Sequence, residues 1–202
     1  MKELFSIFSI LLISLNNSFN SSFIDEIKMG NRQSDKSAIA RVNVQLDDIR
    51  KLIKDKNSVR VVALLDAFGD KNPELAKEGC QYLSYMMNRE GDAKKESTME
   101  MFKQRGFAET LTKIIKANKT HEAAGWACSV VTHVTKPAAT NQSYEVIADE
   151  LITQGICEAI YQALQSSKDD FLIEQANEAK TALTRLSRGL EEFEKLDREN
   201  IN

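Results

Sequence analysis

Two short stretches decide how this chain folds: Gly106-Phe107-Ala108-Glu109-Thr110-Leu111 and Gly155-Ile156-Cys157-Glu158-Ala159-Ile160. They stand 49 positions apart, and the match continues as Ile114-Ile115 against Ala163-Leu164. After each glycine, apolar residues recur at the spacing of one helix face, as Phe107, Ala108, Leu111, Ile114 and Ile115 do in the first copy. The glycine suits a turn between an incoming helix and this one, because a left-handed backbone angle costs it nothing. Upstream, Asn57, Val61 and Leu64-Leu65 repeat the pattern, with asparagine as the next best residue for such a turn.

A second periodicity, at an offset of 48, relates Leu75–Met87, Ala123–Thr135 and Phe171–Leu183. Small residues align as Cys80, Cys128 and Ala176, followed by Leu83, Val131 and Ala179, then Met86, Val134 and Ala182. A fixed period of this length is what stacked helical units produce, since one unit cannot bury its own apolar faces. The aligned small positions read as close-packing points between neighbouring helices, where cysteine behaves as a small hydrophobe.

Helices are expected at 38–55, 58–68 and 73–88, then at 94–105, 107–117 and 120–136, then at 144–154, 156–166 and 169–188. The punctuation agrees. Asn72-Pro73 places proline in a first helical turn, Arg89-Glu90-Gly91-Asp92 makes a loop, and Lys136-Pro137 ends a helix. Residues 189–202, charged and poor in apolar positions, are expected to be a fraying helix or tail.

Composition narrows the field. The chain has 202 residues, 42 % hydrophobic and 28 % charged, which is globular rather than disordered. Two prolines and eight glycines are too few for a sandwich that turns every ten residues. With 27 basic against 30 acidic residues, the net charge of −3 argues against nucleic acid as a partner. Cys80, Cys128 and Cys157 form no CxxC pair, and His121 and His133 lie twelve residues apart, so no metal site follows from spacing. The odd cysteine count favours reduced thiols in the cytosol. The sequence holds no glycine-rich phosphate loop, nucleophile elbow or zinc-helix motif, and no cofactor is implied.

Three helices per roughly 48 residues, a glycine opening the second and a small residue inside the third, resemble the armadillo repeat family. The resemblance is closest over Asn72-Pro73-Glu74-Leu75-Ala76-Lys77-Glu78-Gly79-Cys80-Gln81-Tyr82-Leu83-Ser84 and extends over about 40 to 188. A HEAT-like stack is the nearest rival. The resemblance implies an all-α, right-handed α-α superhelix whose third helices line a groove for an extended peptide or a partner protein. By alignment, the groove position usually held by asparagine falls on Tyr85, His133 and Thr181, and the one usually held by tryptophan falls on Gln81, Ser129 and Asn177. Neither ladder is kept, and Trp126 stands three residues from one expected tryptophan place. The predicted partner-binding patch is therefore Gln81, Tyr85, Trp126, Ser129, His133, Asn177 and Thr181. These residues point to a non-catalytic adaptor with a protein partner. A second reading is a co-chaperone, since short armadillo proteins can exchange nucleotide on Hsp70.

The N-terminus admits two readings. Leu4–Leu15 reads LFSIFSILLISL, which spans only ~18 Å as a helix, too short for a bilayer but long enough for a signal peptide. On that reading the protein is secreted, and Asn16, Asn20, Asn118 and Asn141 are sequons. The other reading starts at Met29, where Met29-Gly30-Asn31-Arg32-Gln33-Ser34 fits the N-myristoylation pattern and makes Gly30 the lipidation site. Residues 1–28 are then an upstream extension, 29–40 a flexible segment, 41–188 the repeat domain and 189–202 a charged tail. A single myristoyl chain gives only reversible contact with a membrane, so the protein would be cytoplasmic with a peripheral membrane pool.

Overall fold

The computed structural model describes residues 35–89, 106–136 and 142–200, with side chains at 45–88, 106–136 and 144–200. The chain divides into two compact units, Met1–Val44 and Gln45–Asn202. Of the first, only the backbone of 35–44 is described, and it is helical. The Gly30 motif, the signal-like stretch and the expected helix at 94–105 lie outside the described residues.

Among the described residues every regular element is a helix. In chain order they are α1 (Asp35–Lys54), α2 (Ser58–Phe68), α3 (Pro73–Arg89), α4 (Phe107–Ala117), α5 (Glu122–Thr135), α6 (Gln142–Thr153), α7 (Ile156–Ser166), α8 (Asp170–Leu183) and α9 (Ser187–Glu199). No helix among them is long and apolar enough to cross a membrane.

The turns that open the second helices follow local chemistry. Gly106 and Gly155 stand at φ +60° and +80°, each capping the helix that follows without any side-chain help. The third such turn differs from expectation. Asn57 is not left-handed; it sits at φ −94°, and its side chain accepts a hydrogen bond from the Arg60 backbone. The left-handed residue is Lys56, at φ +52°. Asparagine is a strong N-cap, so it takes the capping place and passes the strained angle to the residue before it.

Packing places α3, α5 and α8 side by side, with the largest helix contacts running between α3 and α5 and between α5 and α8. A second row runs α2, α4, α7. Contacts between the rows' members repeat near one sequence period. Thr110 donates to Asp66 across 44 residues, the Ser84 and Ser129 hydroxyls are hydrogen-bonded across 45, and Asn118 donates to the Gly69 carbonyl across 49. The core of the row is apolar: Leu75, Cys80, Leu83, Ala127, Cys128, Val131, Leu172, Ala176 and Ala179 are all fully buried. Such burial, at roughly 25 cal/mol per Å², outweighs exposed ion pairs at ~0.2–1 kcal/mol each, so the small aligned positions hold the helices together.

Two helical glycines set how closely neighbouring helices approach. At Gly79 a Cβ would meet Leu65 Cδ2 at 2.8 Å and Ile49 Cδ1 at 2.9 Å; at Gly125 it would meet the Phe171 ring at 2.8 Å. The C-terminal end departs from the expected layout. Helix α8 stops at Leu183, and α9 packs as a separate helix against α6 and α7, burying Gly189 and Phe193. Phe193 is 2 % exposed and lies under the Lys180 ammonium, 5.1 Å from its ring centre. The charged remainder of α9 faces solvent.

Candidate interaction surface

Of the seven residues predicted to bind a partner, all lie on α3, α5 and α8, the three helices that pack in a row. Their surroundings differ. Tyr85 is 48 % exposed and packs its ring edge against Trp126, with ring centres 5.5 Å apart. Trp126 in turn lies 4.9 Å from the ring of Phe171. Three aromatic side chains from the three helices packed in this row therefore form one continuous chain, from exposed Tyr85 through half-buried Trp126 to half-buried Phe171.

The aromatic chain is held from below. The indole Nε1 of Trp126 donates to Glu122 Oε1 at 3.1 Å, one helical turn back. The other oxygen, Glu122 Oε2, meets Lys77 Nζ of α3 at 2.6 Å. The Lys77 bond holds the Glu122 carboxyl below the usual carboxylate range, and the Trp126 donor adds to that shift against the opposing effect of burial. In the same pair the Lys77 ammonium is raised, chiefly by its bond to Glu122. Beside this pair, His121 caps α5, its Nδ1 accepting from the Ala123 backbone at 3.1 Å while its Nε2 stands 3.5 Å from Glu74.

Two depressions lie along these helices, one of them lined in part by Tyr85. One, of about 480 Å³, lies between α1 and α3 and includes Gln81 and Tyr85 on its wall. The other, of about 440 Å³, lies between α5 and α8 and includes Asn177 and Thr181. The predicted residues thus separate into two places rather than one ladder. Ser129 belongs to neither: it is 7 % exposed, with its hydroxyl 2.9 Å from that of Ser84 in the α3–α5 contact. It packs helices together and has little surface to offer a ligand. His133 is half-buried on α5.

Sequence reasoning missed Phe171, and the reason is geometric. Tyr85, Trp126 and Phe171 occupy different places in the 48-residue alignment, so their contact arises from how the helices slide past one another. The one local signal was Gly125, whose lack of a side chain admits the Phe171 ring.

The thiols of Cys80, Cys128 and Cys157 are buried and reduced. Burial raises all three, Cys128 and Cys157 to about 12, which keeps them protonated and poorly nucleophilic. No cluster of three or more histidine, cysteine or acidic residues able to hold a metal occurs among the described residues. The sequon at Asn118 is engaged within the fold: its side chain is 4 % exposed and donates to the Ile114 and Gly69 carbonyls.

No protein-family model, curated protein or solved structure matches the chain.

Proposed function

We propose that the chain is a non-catalytic interaction module, an armadillo-type right-handed α-α superhelix that binds a protein or peptide along the α3–α5–α8 face. The observation that carries this reading is the aromatic chain Tyr85–Trp126–Phe171, open to solvent at Tyr85, whose side chain also lines the depression between α1 and α3. Aromatic side chains dominate interface energetics, and a rigidly held tryptophan loses little entropy on binding. The stacking of α3 on α5 and of α5 on α8 near one sequence period supports the repeat architecture. The compartment is the cytoplasm, with a reversible membrane pool if Gly30 carries a myristoyl group.

The test is selection of a displayed random-peptide library on the full-length chain, with a Tyr85→Ala/His133→Ala double variant in parallel. Peptides enriched on the wild type should lose at least tenfold in affinity for the variant, whose helix content circular dichroism should show unchanged. Equal binding to both proteins would remove this face from consideration.

A further inference from the structure

The two depressions differ in how their charges are used. Between α1 and α3 the charges are committed within the protein. Arg50 clasps Glu78 through two nitrogens, with a shortest contact of 2.6 Å, Lys77 is held by Glu122, and Glu74 faces His121 at 3.5 Å. Between α5 and α8, Lys136, Glu174, Glu178 and Arg185 line the wall, all exposed, and none forms an ion pair with another described residue.

These four charges are also sorted by sign. Glu174 and Glu178 are one turn apart on α8, and like charges at that spacing repel. Lys136 caps the end of α5, and Arg185 follows the end of α8. Arg185 stands two residues past the end of α8, and the helix axis continued to it at 1.5 Å per residue runs roughly 10 Å from Glu178 and roughly 16 Å from Glu174. An extended chain covers those distances in about three to five residues at ~3.3 Å each. Thr132, only 2 % exposed, is also among the lining residues.

We propose that the α5–α8 depression seats an extended peptide segment that carries a basic residue and, three to five positions from it, an acidic one. The basic residue pairs with Glu174 and Glu178, and the acidic one lies between Lys136 and Arg185. A nucleic acid or a uniformly acidic segment would meet the two glutamates, and a uniformly basic segment would meet Lys136 and Arg185, so only a segment of mixed and ordered charge complements the whole seat. The inference rests on the face assigned above and names the chemistry of its partner.

The same library selection tests it, at low salt, with the full chain, a Glu178→Gln/Arg185→Gln variant and a Glu174→Lys/Glu178→Lys variant. Wild type should enrich peptides with the basic–acidic pair at that separation, and these should bind the glutamine variant at least fivefold more weakly. The advantage should shrink as salt rises, because exposed charges are screened. The lysine variant should turn selection toward peptides acidic at both places. Enriched peptides that need Tyr85 but bind the glutamine variant normally would overturn the charged seat and leave the broader face intact. Failure of the wild type to enrich any peptide would overturn both. Circular dichroism on each variant separates lost binding from lost folding.

Discussion

Trp126 donates its indole N–H to Glu122 across 3.1 Å, and Glu122 spends its remaining oxygen on Lys77 of the neighbouring helix. The one tryptophan of the chain is thereby tied to a contact between α3 and α5. Its fluorescence reports on that contact without any label.

Acidification should loosen this contact in a definite pH window. The Glu122 carboxyl is held below its ordinary value, mainly by Lys77. A group depressed on folding contributes stability that is full above its unfolded pKa and is lost as pH falls through the folded one. Stability of the wild type should therefore decline as pH drops below the usual glutamate range of about 4.3. Trp126 emission should change in step. Glu122→Gln, followed by urea melts at a series of pH values, should flatten that part of the profile. An identical acid profile in the variant would assign the decline to other carboxylates.

Gly125→Ala should destabilise the protein by about 1–2 kcal/mol. Alanine is the better helix former by up to ~1 kcal/mol, but the added carbon would sit 2.8 Å from the Phe171 ring and 3.2 Å from the Leu172 Cα. Backbone cannot yield as a flexible side chain can, so the clash exceeds the propensity gain. Denaturant midpoints should also show that Phe171→Leu in the same chain recovers part of the loss. A stabilised alanine variant would mean that α5 and α8 lie further apart.

The three left-handed turns should respond with opposite signs. Gly106→Ala and Gly155→Ala force a side chain into φ +60° and +80°, each at a cost of about 1 kcal/mol. Lys56 already bears that strain at φ +52°, so Lys56→Gly should stabilise by about 0.5 kcal/mol after the entropy of glycine is counted. Thermal melts of the three variants read the pattern directly.

Native thiols should resist labelling. Cys80, Cys128 and Cys157 are at most 3 % exposed and raised by burial, so a chromogenic thiol reagent at pH 8 should react no faster than the protein opens. Three thiols should become reactive together in denaturant. Prompt labelling of one of them in the native state would mark a local opening at that helix.

Phe193→Ala should cost about 3 kcal/mol, since the ring is 2 % exposed and a cavity would remain beneath Lys180. Chemical denaturation should show the loss, and removal of residues 187–202 should cost at least as much. A negligible change in either would make α9 an appendage rather than part of the packed core.

The helix pattern was legible because it is written in short-range chemistry. Helices α2, α4 and α7 begin and end at the residues expected from glycine or asparagine followed by an apolar face. The boundary between α8 and α9 was not legible. Thr184-Arg185-Leu186 contains neither glycine nor proline, and the break becomes favourable only because α9 can then bury Phe193 against its neighbours. Of the predicted patch, the sequence placed all seven residues on three helices that the structure packs in a row, and Tyr85 and Trp126 meet ring to ring there; it could not show that Ser129 is buried in the α3–α5 contact.

By itself the sequence determined that this protein is helical, that its segments resemble one another at offsets of 48 and 49, and which small positions let the helices approach. These properties depend on backbone angles, periodicity and side-chain size, all of which are local. Only the tertiary structure decided that Phe171 completes the aromatic chain, that Arg50, Glu74, Lys77 and Glu78 of the α1–α3 depression are paired within the protein, and that the charges of the α5–α8 depression form no ion pair with another described residue. Those facts depend on the axial slide between packed helices, where a shift of one turn, about 5.4 Å, exchanges every side-chain partner while leaving the repeat pattern unchanged.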